Sequence, residues 1–275
     1  MALVLKEFKV PMTALVGETV QNAPLESDDN MLILQMFYDD SWIPKSRDLV
    51  LWFDGGAGDG IEDTSYGRPQ YVVQKGYVYF NCSAFKRAKH PMNFIATGNM
   101  PIHDFIRYVF EVESFISYIY ENLINDEIAK KYVTQDSKIC LTGTSRGAGN
   151  ILQWSCLSRG IYLKHRDKVI GLVANSPAGG GTTKDWQGPY IAQRATYKFY
   201  QNVMHQTIGC MGAGDVTHTN RAHIERIYAA ISNPLVKIIA EGNDTWGHTW
   251  PGLSKQNQYK IFFNHAFELL SQNRN

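Results

Sequence analysis

The chain has 275 residues, with 27 Lys and Arg against 26 Asp and Glu, for a net charge of +1. That balance excludes the basic footprint of a nucleic-acid-binding protein. A hydrophobic fraction of 44% with 19% charged residues excludes an unfolded polar chain and leaves enough apolar surface for a central sheet. No apolar run reaches the roughly 18 residues needed for a membrane-spanning helix.

In chain order, Leu3 to Val10 and Met31 to Tyr38 read as strands, with Asp28-Asp29-Asn30 as a turn signal between them. The N-terminus has no basic segment followed by a long apolar core, so no signal peptide is expected and a cytoplasmic location is. Asp48 to Phe53 is a short apolar strand that breaks into Asp54-Gly55-Gly56-Ala57-Gly58. Tyr77 to Cys82 is another strand, followed by a long polar loop from Lys86 to about His103. Apolar residues then recur at helical period from Asp104 to Leu123, with Asp104 as the expected N-cap. Strands are predicted at Lys138–Thr142, Lys168–Asn175, Thr207–Met211 and Leu235–Ala240, and a closing helix at Phe262–Leu270. A helix is also expected near Thr217 to Tyr228. Strand–helix alternation in the second half predicts a parallel sheet with helices on both faces. A single domain over 1–275 follows, with a small cap or excursion at about 181–205.

Cys82, Cys140 and Cys210 fall in strand-like runs and Cys156 in a helix. Their spacing suits neither a metal nor a CxxC pair, so they read as buried free thiols in a reducing compartment, with no metal and no cofactor.

The chemistry centres on Gly143-Thr144-Ser145-Arg146-Gly147, which joins a predicted strand to a helix beginning around Ala148. In that setting G-x-S-x-G is a nucleophile elbow. A strained turn presents the serine Oγ, and the flanking glycines let strand and helix approach. Such a serine needs a base of near-neutral pKa, an acid to hold that base, and donors for the developing oxyanion. In chain order the candidates are Ser145, Asp215 and His248, each in a loop after its own strand. Asp244, in the same loop as His248, competes for the acid role; His205, His218, His223 and His265 are the rival bases. The oxyanion hole is assigned to the backbone N–H of Arg146 and one from the early glycine loop, Gly56, with Ala57 second.

Together these residues resemble the α/β-hydrolase superfamily, and in particular its feruloyl esterase, acetylxylan esterase and polyhydroxybutyrate depolymerase group. The elbow strand and the loop Gly247-His248-Thr249-Trp250-Pro251-Gly252 carry the likeness. The resemblance implies an α/β-hydrolase fold and a serine esterase working through an acyl-enzyme on a small-molecule or carbohydrate ester. Trp186, Tyr190, Trp246 and Trp250 are then candidates to stack on a sugar or aromatic ring, with core packing at least as strong a reading for each. The chain departs from the group at Asp54-Gly55, where His-Gly is usual, and at Arg146, a larger residue than many members carry. A peptidase or amidase on the same scaffold, and a catalytically silent hydrolase fold used for binding, remain as alternative functions. Oligomeric state is left open.

Overall fold

A computed structural model of the chain describes residues 2–11, 13–16, 19–22, 31–55, 67–83, 102–157, 163–177, 197–212, 221–232, 237–241 and 255–272. Ten strands appear in these residues: β1 (Leu3–Pro11), β2 (Thr13–Val16), β3 (Thr19–Asn22), β4 (Met31–Asp39), β5 (Leu49–Phe53), β6 (Val78–Cys82), β7 (Ile139–Thr144), β8 (Val169–Asn175), β9 (Gln206–Gly212) and β10 (Lys237–Glu241). Five α-helices accompany them: α1 (Arg68–Gln74), α2 (Ile102–Glu121), α3 (Arg146–Leu157), α4 (Arg221–Ala230) and α5 (Lys255–Gln272).

Eight strands form one sheet in the order β1-β4-β6-β5-β7-β8-β9-β10, and β2 and β3 pair separately. β1 and β4 are antiparallel to each other, and β4 is antiparallel to β6; from β6 to β10 every pairing is parallel. The expected α/β architecture, mostly parallel with an antiparallel N-terminal region and helices on both faces, is therefore what the chain adopts.

The alternation along each central strand explains the layers. Leu49, Leu51 and Phe53 face one side of β5, where they join Val112, Phe115, Ile116 and Ile119 of α2 and Ile151 and Leu152 of α3. Val50 and Trp52 face the other side, with Val72 and Val73 of α1 and Phe262, Phe263, Ala266 and Leu269 of α5. All five residues of β5 are buried, as is expected of a strand covered on both faces.

Several boundaries differ from expectation. α2 begins at Ile102, so Asp104 is inside its first turn and is not the N-cap. The closing helix starts at Lys255, well before Phe262, because its first turns are polar and lack the apolar period that marks the rest. Of the helix expected near Thr217 to Tyr228, residues 217–220 lie outside the described residues, and Arg221–Ala230 is helical. α1, seven residues starting on Arg68-Pro69, gave no periodic signal because it is too short to show one. The four cysteines are free and buried. Among the described residues, no helix is long and apolar enough to cross a membrane. Of the cap expected at about 181–205, residues 181–196 lie outside the described residues, and Tyr197–Asn202 forms a 3₁₀ helix.

Candidate active site

Ser145 is the residue between β7 and α3, and its backbone is left-handed, with φ 51°. A non-glycine residue there carries a cost of roughly 1–2 kcal/mol, which the surrounding structure must offset. Two hydrogen bonds hold it: its N–H donates to Asn175 O at 2.9 Å, and its carbonyl accepts the Gly149 N–H at 3.0 Å. The turn is possible only because the residues two positions away on either side, Gly143 and Gly147, lack side chains. A Cβ on Gly147 would stand 2.1 Å from the Phe53 carbonyl oxygen and 2.5 Å from its carbon. A Cβ on Gly143 would meet the Gly147 carbonyl carbon at 2.7 Å. Those are backbone atoms of β5 and α3 and cannot rotate away. Glycine is required at both positions so that α3 can pack directly on the sheet after so sharp a turn.

Ser145 is 8% exposed, at the carboxyl edge of the parallel strands. Arg146 is the first residue of α3 and is itself buried. Its amide N–H belongs to the first turn, where no intrahelical carbonyl can accept it, and the helix dipole adds positive potential there. Gly55, after β5, lies against Ser145: a Cβ on it would be 2.8 Å from Ser145 Cβ and 3.0 Å from Thr144 O. The glycine loop and the elbow are thus in direct contact.

The next strand ends in a similar way. Ser176 follows β8 with φ 45°, and its N–H donates to Cys210 O at 2.9 Å. Its side chain is fully buried, and its Oγ has no hydrogen-bond partner among the described residues. Asn175 reaches back to β7, donating from Nδ2 to Thr144 Oγ1 at 2.9 Å.

Beneath the elbow, α2 presents two buried carboxylates to α3. Glu111 accepts from Asn150 Nδ2 at 3.3 Å. Glu113 accepts from Trp154 Nε1 at 2.9 Å and from Ser117 Oγ at 3.0 Å. Burial pushes the Glu113 carboxyl up from 4.5 to about 7, against the pull of those two hydrogen bonds. Sequence periodicity misses both acids, because glutamates on a helix normally mark its solvent face.

Of the sequence-derived site residues, Ser145 and Arg146 are described. Gly56, Asp215, His248, Asp244, Trp186, Tyr190, Trp246 and Trp250 lie outside the described residues. The strands that precede Asp215 and His248 in the chain are described, however. β9 and β10 follow β7 and β8 in the sheet and run parallel to them, so their carboxyl ends share the edge where Ser145 sits.

Two rival histidines are accounted for. His205 precedes β9 rather than lying on a helix. Its ring bonds Ser155 Oγ at 2.7 Å and Arg166 O at 3.1 Å and stacks on Trp154. Burial holds its pKa below the usual histidine range, which makes it a neutral packing residue. His265 sits on α5 beside Glu268, with 3.5 Å between Nδ1 and Oε2. Among the described residues, no cluster of His, Cys, Asp or Glu is arranged to hold a metal.

No protein-family model matches the chain, and no curated protein matches it in sequence. Solved structures do. A Klebsiella pneumoniae protein designated a dienelactone hydrolase matches with a TM-score of 0.64 at 11% identity, over 99% of this chain and 100% of that one. A dienelactone hydrolase from Anabaena variabilis matches with a TM-score of 0.55 at 12% identity, over 94% and 98% of the two chains. Est1E from Butyrivibrio proteoclasticus, with ferulic acid bound, matches with a TM-score of 0.59 at 14% identity, over 88% and 96%. At such identities the likeness is one of fold, and it covers nearly the whole of each chain. The chain has the α/β-hydrolase fold.

Proposed function

We propose that this protein is a serine hydrolase that cleaves a carboxylic ester through an acyl-enzyme. The observation that carries the reading is Ser145 itself, held at φ 51° between β7 and α3 with glycine-only packing on either side. Backbone strain of this kind clusters at active sites.

In the proposed reaction His248 removes the Ser145 hydroxyl proton as Oγ bonds to the ester carbonyl carbon, and Asp215 holds the imidazole. The amides of Arg146 and Gly56 receive the oxyanion. Collapse breaks the bond to the alkoxy oxygen, which leaves as the alcohol with the proton from His248. Water, deprotonated by the same imidazole, then attacks the acyl-enzyme and releases the carboxylic acid. The substrate class is a small-molecule or carbohydrate ester. The bound ferulic acid of Est1E and the hydrolase assignments of the other neighbours support it, and Trp186, Tyr190, Trp246 and Trp250 are the residues proposed to stack on such a substrate.

A fluorophosphonate probe tests the nucleophile. The expected outcome is one adduct on Ser145, absent in Ser145→Ala; no labelling would refute ester and amide hydrolysis together. A panel of acetyl, feruloyl and short-chain esters beside peptide amides then reads the substrate class. The Asp215→Asn variant is expected to lose about 10⁴-fold in kcat, as loss of the acid does in such a triad, with Asp244→Asn within a few-fold of wild type. The reverse order would reassign the acid.

A further inference from the structure

The glycine loop begins on a carboxylate, and a carboxylate beside an oxyanion site is electrostatically unfavourable. The structure shows what accompanies it. Asp54 follows the last residue of β5, and its Oδ1 accepts the N–H of Gly55 at 2.8 Å. Gly55 in turn lies directly against Ser145. The other carboxylate oxygen, Oδ2, is 3.9 Å from Nη1 of Arg68, the first residue of α1. The Arg68 side chain is 3% exposed and that of Asp54 32%. The guanidinium carbon lies 5.1 Å from the Trp52 ring centre and 4.5 Å from that of Tyr259. Strand β5, helix α1 and helix α5 therefore meet on one buried cation, and its charge is delivered to the root of the glycine loop.

Resting on the esterase reading above, we infer that Asp54 and Arg68 are positioning residues of the oxyanion loop. Asp54 has two effects. It occupies the Gly55 N–H, and it fixes the chain at the point where Gly55 touches Ser145. Its charge alone would oppose the transition state, in which a second negative charge develops nearby. Arg68 offsets that charge from a position too buried to compete for substrate, held over two aromatic faces that favour a cation. The pair is one unit: the acid orders the loop, and the base removes the electrostatic penalty of using an acid to do so.

The test is a cycle of variants in the full chain, read as kcat and KM on p-nitrophenyl acetate with melting temperature as a folding control. Asp54→Asn retains an acceptor for the Gly55 N–H and is expected to stay within about threefold of wild type, whereas Asp54→Ala frees the loop and should lower kcat about tenfold at nearly constant KM. Arg68→Met keeps an apolar stem over Trp52 and Tyr259 but exposes the Asp54 charge, for an expected loss of roughly ten- to a hundredfold in kcat. The double variant Arg68→Met/Asp54→Asn should recover most of that loss. A purely structural role for Arg68 would leave the double variant as slow as Arg68→Met, and that result overturns the charge-offset role. Asp54→Ala indistinguishable from Asp54→Asn overturns the loop-holding role, and this comparison stands even if Arg68→Met fails to fold. A wild-type chain inert to both fluorophosphonate and ester would refute the parent reading and this inference with it; a reactive wild type with failed cycles refutes this inference alone.

Discussion

Glu113 offers a quantitative test of how α2 supports the elbow helix. Its carboxyl is buried against Trp154, and burial raises its pKa from 4.5 to about 7. The folded state therefore holds a proton that the unfolded chain has already released. The stability this provides is fully present below about pH 4.5 and is lost as pH rises through about 7. A tenfold difference in proton affinity corresponds to about 1.4 kcal/mol, so the gap between the folded and unfolded carboxyl amounts to about 3 kcal/mol between mildly acidic and mildly alkaline solution. Glu113→Gln removes the titration while keeping an acceptor for the indole N–H. Urea unfolding of both proteins at pH 5 and pH 8 measures the difference. The variant should gain about 2–3 kcal/mol on the wild type between the two pH values, from near parity at pH 5. Parallel pH profiles would refute the reasoning, because they would mean that Glu113 is ionised at no cost.

Two further outcomes are expected. Gly147→Ala places a methyl group 2.1 Å from the Phe53 carbonyl oxygen, so α3 must lift from β5; thermal unfolding should show a loss of about 4 kcal/mol or a failure to fold, and a Tm within a degree of wild type would contradict the close approach. Ser176→Gly removes both a left-handed non-glycine residue and a buried hydroxyl with no partner among the described residues, and should raise stability by about 1 kcal/mol in urea unfolding. A loss of stability there would mean that the hydroxyl is hydrogen-bonded in solution.

The parallel sheet was legible because its strands are short apolar runs, and the elbow because strand, serine and helix are contiguous in the chain. What could not be read is what depends on contacts distant in sequence. The Ser83 hydroxyl, which accepts the N–H of Ile33 from 50 residues away, is one such case. The Asp54–Arg68 pair is another: a loop aspartate and the start of a seven-residue helix have no shared pattern, and only the parallel pairing of β5 with β6 brings α1 back over the end of β5. Asp104 resembled an N-cap because its side chain suits one, yet the helix starts two residues earlier, at Ile102. His205 read as a rival base; its role as a packed, neutral ring depends on Trp154 and Arg166, which lie 51 and 39 positions away.

The burial of all four thiols has a practical corollary. The reactive form of a cysteine is the thiolate, and burial pushes Cys82, Cys140 and Cys156 away from it. Maleimide chemistry on the folded protein therefore meets a silent background. A cysteine introduced at Ile43, a side chain 81% exposed between Trp42 and Pro44, would take a fluorophore or a surface tether without deletion of any native sulfur. The protein could then be immobilised or tracked through one defined point while the proposed serine chemistry is assayed separately.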